Sequence, residues 1–383
     1  MAGEAQRIII VGGGPGGLTA AIALRQAGFA PVVYERARSW PELGSGLTLW
    51  PNAMKALARL GLVAALRAVS LPSAGIAMST WRGEVLFDVP PRERVEDLFG
   101  TSGVAVHRAE LLAVLLAALG REHLRLGAQC TGFQQERAGV TAFFADGTST
   151  RGHALIGADG IKSAVRKQLL GPPKLRYAGF TVWRGVTEFR LEESAGITVL
   201  GRGAQFGIFP MTAQRVYWFA SVNAPEGARD WPVGRKRELL ERFGDWHSPV
   251  RAIIEATDEA AILRNDIYDH EPLRRWGEGR VTLLGDAAHP ATPNLGQGAC
   301  QAIEDAVVLA RCLGESPEVA AALRAYESRR RPRTSAITLQ SRRMGRMGRW
   351  ENPLLCWLRD RLIKNFPEQL RLAQLGELFR FEA

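Results

Sequence analysis

Four glycines and one acid near the start of the chain have the types and spacing to hold a phosphate-bearing ligand. Gly12, Gly14, Gly16 and Gly17 follow the apolar run Arg7-Ile8-Ile9-Ile10-Val11, and Glu35 stands eighteen residues beyond Gly17. In a strand–turn–helix unit the first glycine allows the tight turn. The second lets backbone approach a pyrophosphate, and the last lets the helix pack close to the sheet. The helix start directs free N–H groups and the positive dipole end at the phosphates. A carboxylate ending the next strand accepts from ribose hydroxyls. The elements that must position these groups are legible: a strand over 7–11, an Ala/Leu-rich helix to Ala27 broken by Gly28, and a strand from Pro31 to Glu35. The reading is a dinucleotide site, not a bare turn.

Two more strands end in Asp beside Gly. Ala154-Leu155-Ile156-Gly157 leads to Asp159-Gly160 and a helix from Ser163. Val281-Thr282-Leu283-Leu284 leads to Gly285-Asp286-Ala287-Ala288-His289-Pro290. Both lack alternation, which predicts strands buried on both faces. The loop Pro293-Asn294-Leu295-Gly296-Gln297-Gly298 then opens a helix from about Ala299 to Leu313. Its start is free of bulky side chains, which suits a second anion or dipole-accepting group.

Elsewhere, Gly44 and Gly46 suggest backbone close to a ligand or another segment, or plain turns, before a helix over Ala53 to Leu60. Arg82-Gly83 reads as a hairpin turn, and Leu124 to Cys130 as one strand. Arg108 precedes a helix from Ala109 to Leu119; by itself it is a solvated charge or a pyrophosphate contact. From Pro172 to about Trp276 the chain is strand-rich. Trp183, Phe206, Phe209, Tyr217, Trp218 and Phe219 are too many aromatics for a solvated sheet. An inserted antiparallel sheet with one face on something other than water is expected. From Pro317 the pattern is helical and arginine-rich.

The 383 residues, 46% hydrophobic and 23% charged, suit one large domain or two. Cys130, Cys300, Cys312 and Cys356 show no metal spacing and fit reduced thiols. No apolar run reaches the roughly 18–20 residues of a membrane span, and the first residues lack a signal-peptide pattern, so a cytoplasmic protein is expected. The net charge of +10 raises nucleic-acid binding, but no such motif is present. An anionic cofactor and reductant account for it equally well.

Taken together, the glycine turn with Glu35, Asp159-Gly160, and the blocks Gly285 to Pro290 and Pro293 to Gly298 resemble the FAD-dependent single-component aromatic hydroxylases. These share the fold of p-hydroxybenzoate hydroxylase. Bacterial urate, 2-alkyl-4-quinolone and 6-hydroxynicotinate hydroxylases look most similar. The resemblance implies an α/β fold: a Rossmann-like FAD-binding domain (1–71, 100–171, 276–345), an inserted antiparallel-sheet substrate domain (72–99, 172–275), and a C-terminal helical segment (346–383). It implies that Gly12, Gly14, Gly16, Gly17 and Arg108 hold the FAD pyrophosphate, Glu35 and Arg36 the adenosine, and Asp286 the ribitol. The backbone at Cys130 touches the adenine. Asp159, Thr48, Gly296, Gln297 and Gly298 complete the set.

The implied activity is NAD(P)H- and O2-dependent hydroxylation of an electron-rich aromatic or heteroaromatic ring through a flavin C4a-hydroperoxide. The chemistry is then the flavin's, and neither Cys300 nor His289 is assigned a covalent role. Pocket candidates are Gln205, Gly207, Phe209, Tyr217, Phe219 and Pro293. The urate enzymes pair a tyrosine, matched by Tyr217, with an arginine near the position of Gln205. An amide pairs with a neutral lactam or quinolone but cannot clamp an anion, which favours a neutral ring. The alternatives are an FAD epoxidase or hydroxylase of an isoprenoid and a non-catalytic flavin-binding protein. A monomer or homodimer without a nucleic-acid partner is expected. Leu354, Leu355, Trp357, Leu358, Leu362, Ile363 and Phe366 recur at helical spacing. They predict a helix that buries Trp357 and Leu358 in the protein or a subunit contact and does not lie on a membrane.

Overall fold

The computed structural model describes residues 5–40, 45–73, 75–88, 90, 92–191 and 195–381; Gly44 lies outside them. Five parallel strands form its centre, in the order Val281–Leu283, Ala154–Gly157, Arg7–Val11, Ala30–Glu35, Leu124–Leu126. Ile8, Ile9, Ile10, Leu155 and Ile156 are fully buried. Their unbroken apolarity follows from cover on both faces. Helices Pro15–Gln26, Arg108–Leu119 and Gly298–Glu315 pack together over the sheet. The small antiparallel sheet within 130–152 also packs on it, with Phe144 stacked on Tyr34.

The expected strand from Leu124 to Cys130 is two strands in different sheets. Leu124–Leu126 completes the parallel sheet and Cys130–Glu136 enters the small one. Gly127 makes the break at φ +73°, donating to Ala37 O while Ala128 donates to Glu35 O.

The aromatic stretch folds into a seven-stranded sheet. Its order is Leu263–Asp269, Arg176–Glu188, Arg215–Asn223, Ala204–Thr212, Gly196–Leu200, Ile76–Thr80, Val85–Phe87. Neighbours are antiparallel except Gly196–Leu200 and Ile76–Thr80, which run parallel. Side chains alternate between faces. Trp183, Phe206, Ile208 and Trp218 share a core with helices Arg235–Phe243 and Val250–Ala256. Phe180, Val182, Arg184, Gln205, Phe209, Tyr217 and Phe219 take the other face and line a cavity.

Helix Val319–Gly348 packs on helix Gly298–Glu315 and reaches the cavity with its last turns, and helices Pro353–Lys364 and Glu368–Phe379 close the chain. Within the single chain Trp357 is 60% exposed and Leu358 43%, so of the two expected places for them, the protein interior or a subunit contact, the interior is ruled out. The helix seats through Cys356 and Arg359 instead. The Arg359 guanidinium donates to Gly201 O and Gly348 O, which fixes that face inward and turns the leucines and Trp357 out. Among the described residues no helix is long and apolar enough to cross a membrane.

A buried ionic network ties these layers together. Arg330 donates to Asp305 at 2.7 Å, to Glu304, and to Gln301 Oε1 at 2.7 Å. Glu304 also accepts from Arg333 and from Asn52. Asp305 accepts from His289 at 2.6 Å and from Gly285 N–H at 3.1 Å. Burial pushes Asp305 up, but His289 and Arg330 outweigh it and hold the carboxyl at about 2. A carboxyl depressed on folding stabilises the native state above its ordinary value near 4. That contribution is lost as pH falls through about 2. Removing one partner of a buried ion pair costs about 3–5 kcal/mol. Asp305→Asn is therefore expected to lower stability by that order at pH 7 and to flatten the melting-temperature loss between pH 4 and 2. An unchanged acid profile in the variant would assign the acid sensitivity elsewhere.

Candidate functional site

A cavity of about 1470 Å³ runs from the glycine turn to the inner face of the seven-stranded sheet. Its first wall is the turn after Arg7–Val11. Gly12 has φ +112°, and a Cβ there would come 2.2 Å from Ala158 O. Gly14 has nothing within 4 Å of its Cβ position and faces the cavity. The helix starting at Pro15 has no side-chain cap, so its first N–H groups remain available to a ligand. Gly16 lines the cavity beside Leu284 and Ala302. Gly17 is set back from it: a Cβ would sit 2.0 Å from Gly12 O, so its role is close packing.

Glu35 closes the turn. Its carboxylate accepts from Gly13 N–H at 2.7 Å and Ala37 N–H at 2.9 Å while lining the cavity. Arg36 and Arg108 are exposed side chains on the same wall, and Cys130 lies nearby with its thiol pushed up to about 11 by burial. The Asp159 carboxylate accepts from Ser163 Oγ at 2.5 Å and Ala164 N–H at 2.7 Å. It therefore serves the start of helix Ala164–Leu170, and Gly160 beside it lines the cavity with open space at its Cβ position.

Asp286 is an exposed side chain flanked by buried neighbours, and its exposed surface opens into the cavity. Burial pushes its pKa up, opposed by His289, Arg108 and Arg166. Next to it, Pro293, Asn294, Gly296 and Gly298 line the cavity. Helix Gly298–Glu315 has no side-chain cap at its start. Gln297 points away: its amide oxygen accepts from Asn52 and Gln301 inside the buried network. It anchors the loop and does not face a ligand. Thr48 lines the cavity, and its carbonyl accepts from the Cys300 thiol. Burial pushes that thiol up to about 12, which makes it inert.

The second wall is the sheet. Tyr217 is buried, its phenol pushed up by burial, while the positive charge of Arg184 opposes the rise. Phe209 stacks between Tyr217 and Phe219, with centroids 5.9 and 6.0 Å away. Three glycines make room for these groups. A Cβ at Gly46 would come 2.2 Å from the Tyr217 ring, one at Gly207 2.1 Å from Phe219, and one at Gly348 1.8 Å from Gln205 Nε2. Gly207 therefore lies beneath Phe219 and outside the cavity lining, contrary to its expected place in the pocket.

Several contributors escaped the sequence reading. Arg166, fully buried, donates to Ile161 O and Ala287 O and faces both Asp159 and Asp286. Arg184 had a signal, its parity with Phe180 and Val182 on one strand. The strand register that sets it beside Tyr217 was not readable. Gly348, on the last turn of its helix, had none.

The residues present fit FAD. The open backbone at Gly14, two uncapped helix starts and an acid opening on the cavity match pyrophosphate, an electron-rich ring edge and a polyol. Fold and site define a dinucleotide-binding oxidoreductase whose substrate sheet shares the cofactor's cavity. The chain belongs to the family described as FAD binding domain, which it matches over residues 5–341. It is similar to an aurachin C monooxygenase/isomerase of Stigmatella aurantiaca, 44% identical over 93% of each chain. A urate hydroxylase of Klebsiella pneumoniae is 36% identical over 88% of this chain and 89% of its own. The crystal structure of Klebsiella pneumoniae HpxO with FAD and uric acid matches with a TM-score of 0.90 at 33% identity, covering 98% and 96% of the two chains. The protein is an FAD-dependent aromatic monooxygenase.

Gly348→Ala tests how Gln205 is held. Alanine in a helix is favoured over glycine by about 1 kcal/mol, so stability is expected to hold. The amide must move, and loss of one hydrogen bond weakens aromatic ligand binding by about two- to tenfold. Calorimetric titration of the FAD-loaded variant checks this; unchanged affinity would place Gln205 outside ligand contact.

Proposed function

We propose that the protein uses NADH or NADPH and O2 to hydroxylate an electron-rich heteroaromatic ring of lactam or quinolone type. The observation that carries the reading is that Arg184, Gln205 and Tyr217 line the same cavity as Gly14 and Asp286. Bound FAD supplies the redox chemistry, accepting reducing equivalents from the nicotinamide and activating O2. The chain binds, orients and excludes water.

In this reading Gly12, Gly14, the helix start at Pro15 and Arg108 hold the pyrophosphate. Glu35 and Arg36 hold the adenosine, and the backbone at Cys130 the adenine. Asp286 accepts from the ribitol. The Pro293–Gly298 loop carries the isoalloxazine, and the free N–H groups of the helix start at Gly298 favour negative charge on it. The substrate ring lies between this loop and the sheet. Tyr217, kept protonated by burial, donates to a ring oxygen. The Gln205 amide pairs with a ring carbonyl or N–H.

Arg184 revises the preference for a wholly neutral ring. Position 205 carries no cation, but Arg184 brings one to the same face, where its charge acts on Tyr217. Together they stabilise partial negative charge on a ring oxygen, which makes the ring carbon beside it a better target for an electrophilic oxygen.

Two experiments test the reading. Asp286→Ala is expected to weaken FAD binding by about 1.5–3 kcal/mol, one charge-assisted hydrogen bond, measured by equilibrium dialysis. Full retention of FAD would remove Asp286 from the site. Tyr217→Phe is expected to leave FAD content unchanged while lowering the hydroxylated product formed per NAD(P)H consumed. Equal product per nicotinamide in both proteins, measured by chromatography, would count against its role.

A further inference from the structure

Helix Pro353–Lys364 turns an apolar face outward. Leu354, Leu358 and Leu362 recur at every fourth position, so they stack along one side of it. Leu354 is 76% exposed and Leu362 56%, and Leu355 is exposed beside them. Trp357 shares a neighbouring row with Arg361 and Lys364, four and seven residues on. The Arg361 guanidinium lies over the Trp357 ring, 5.5 Å from its centre. Strand Val85–Phe87 packs against this helix, and its Val85 is exposed as well. A group of large apolar side chains left in water and rimmed by polar ones marks a surface that another body covers.

The helix is not free to roll and hide this face. Its first turn is fixed by Asn352, whose side-chain oxygen accepts from Leu354 N–H at 2.9 Å and Leu355 N–H at 3.3 Å. Its inner side is fixed by Cys356, which donates to Trp350 O at 3.0 Å, and by Arg359. Ile363 and Phe366 line the cavity. Leu362 belongs to both sides, since it lines the cavity and is exposed. One edge of the cavity therefore reaches the outward face.

Charge decides what covers it. Between residues 343 and 364 the exposed charged side chains are Arg343, Arg346, Arg361 and Lys364 against Glu351 alone. The hairpin adds Arg82 and Glu84, and Glu84 pairs with Lys364 at 2.7 Å. A second copy of the chain is a poor cover for this pattern. A twofold contact lays a patch on its own copy, which sets Arg361 and Lys364 against their equivalents. An anionic bilayer surface meets both parts of the pattern. Its acyl boundary takes the leucines and Trp357, and its phosphates take the cations on their flexible stems.

We propose that this face docks the protein on the surface of an anionic phospholipid bilayer, with helix Pro353–Lys364 lying in the plane of the headgroups. The expectation that the helix keeps off a membrane assumed an apolar stripe packed inward, and the exposure of that stripe removes its basis. Docking needs no particular ring in the cavity, and it sets one edge of the cavity against lipid. The contact is peripheral and is made by side chains. Each cation near an anionic surface strengthens binding about fivefold, equivalent to about 1 kcal/mol.

The test sediments the FAD-loaded full chain with vesicles of phosphatidylcholine alone and of phosphatidylcholine mixed with phosphatidylglycerol. At low salt the mixed vesicles are expected to bind at least about twentyfold more tightly, the contribution of two cations. Physiological salt shortens the screening length to about 8 Å. It is expected to weaken this binding without abolishing it, because the apolar contact remains. Two variants at exposed positions separate the parts. Leu354→Ser combined with Leu358→Ser lowers binding to the mixed vesicles at least about tenfold. Arg361→Gln lowers it about fivefold and leaves binding to phosphatidylcholine within about twofold. FAD content and melting temperature are expected to match wild type in both. If a variant unfolds, the wild-type preference for mixed vesicles and its survival in salt decide alone. Sedimentation velocity without lipid is expected to give wild type and the leucine variant the same oligomeric state. An oligomer that the leucine variant dissolves gives the face to a second copy and overturns the proposal. So does failure of wild type to bind either vesicle, binding that vanishes at physiological salt, or binding that neither folded variant changes.

Discussion

The Arg330 guanidinium, buried among Glu304, Asp305 and Gln301, is the interaction on which the site depends. A buried cation is tolerable only when its charge and hydrogen-bonding directions are met. Meeting them draws four distant segments together. Asp305 fixes Gly285 N–H and His289 at the end of the strand that carries Asp286. Glu304 fixes Asn52, which in turn holds Gln297 beside the glycine loop. The two ends of the proposed flavin site are therefore set by one charge cluster that does not itself line the cavity.

The seven-stranded sheet works by a similar economy of parts. Its period-2 alternation sends one set of aromatics into a core with two helices and another into the cavity. The polar groups on the cavity face are held by packing. Phe209 lies between Tyr217 and Phe219, and small residues opposite leave space for each large one. A pocket built this way limits rotamer freedom before any ligand arrives, which lowers the entropic cost of binding.

Much of this was legible in the sequence because the signals are local. The strand, glycine turn, helix and acid from Arg7 to Glu35 fall within thirty residues, and each has its own physical requirement. The aromatic strands announced a sheet that could not face water on both sides. What stayed hidden depends on contacts between distant segments. The Asn52–Glu304 bond spans 252 residues, and the Gly348–Gln205 approach depends on where one helix happens to end. Gln297 looked like a ligand group because it sits in the right loop, but its direction is set by Asn52, which no spacing rule reveals. Trp357 and Leu358 were expected to be covered, by the protein or by a subunit contact, because an apolar stripe usually faces away from water. Arg359, buried and bonded to two carbonyls, fixed the opposite face instead.

The C-terminal helices form the outer wall of the cavity, yet they lie beyond residue 341, where the family match ends. The strands, glycine loops and charge cluster that set up the redox centre are complete before that wall begins. Mutational drift or engineering confined to the last thirty-odd residues could thus retune which molecules are accepted while the oxidative machinery stays as it is. In such an architecture, selectivity and reactivity are separately inheritable traits of one polypeptide.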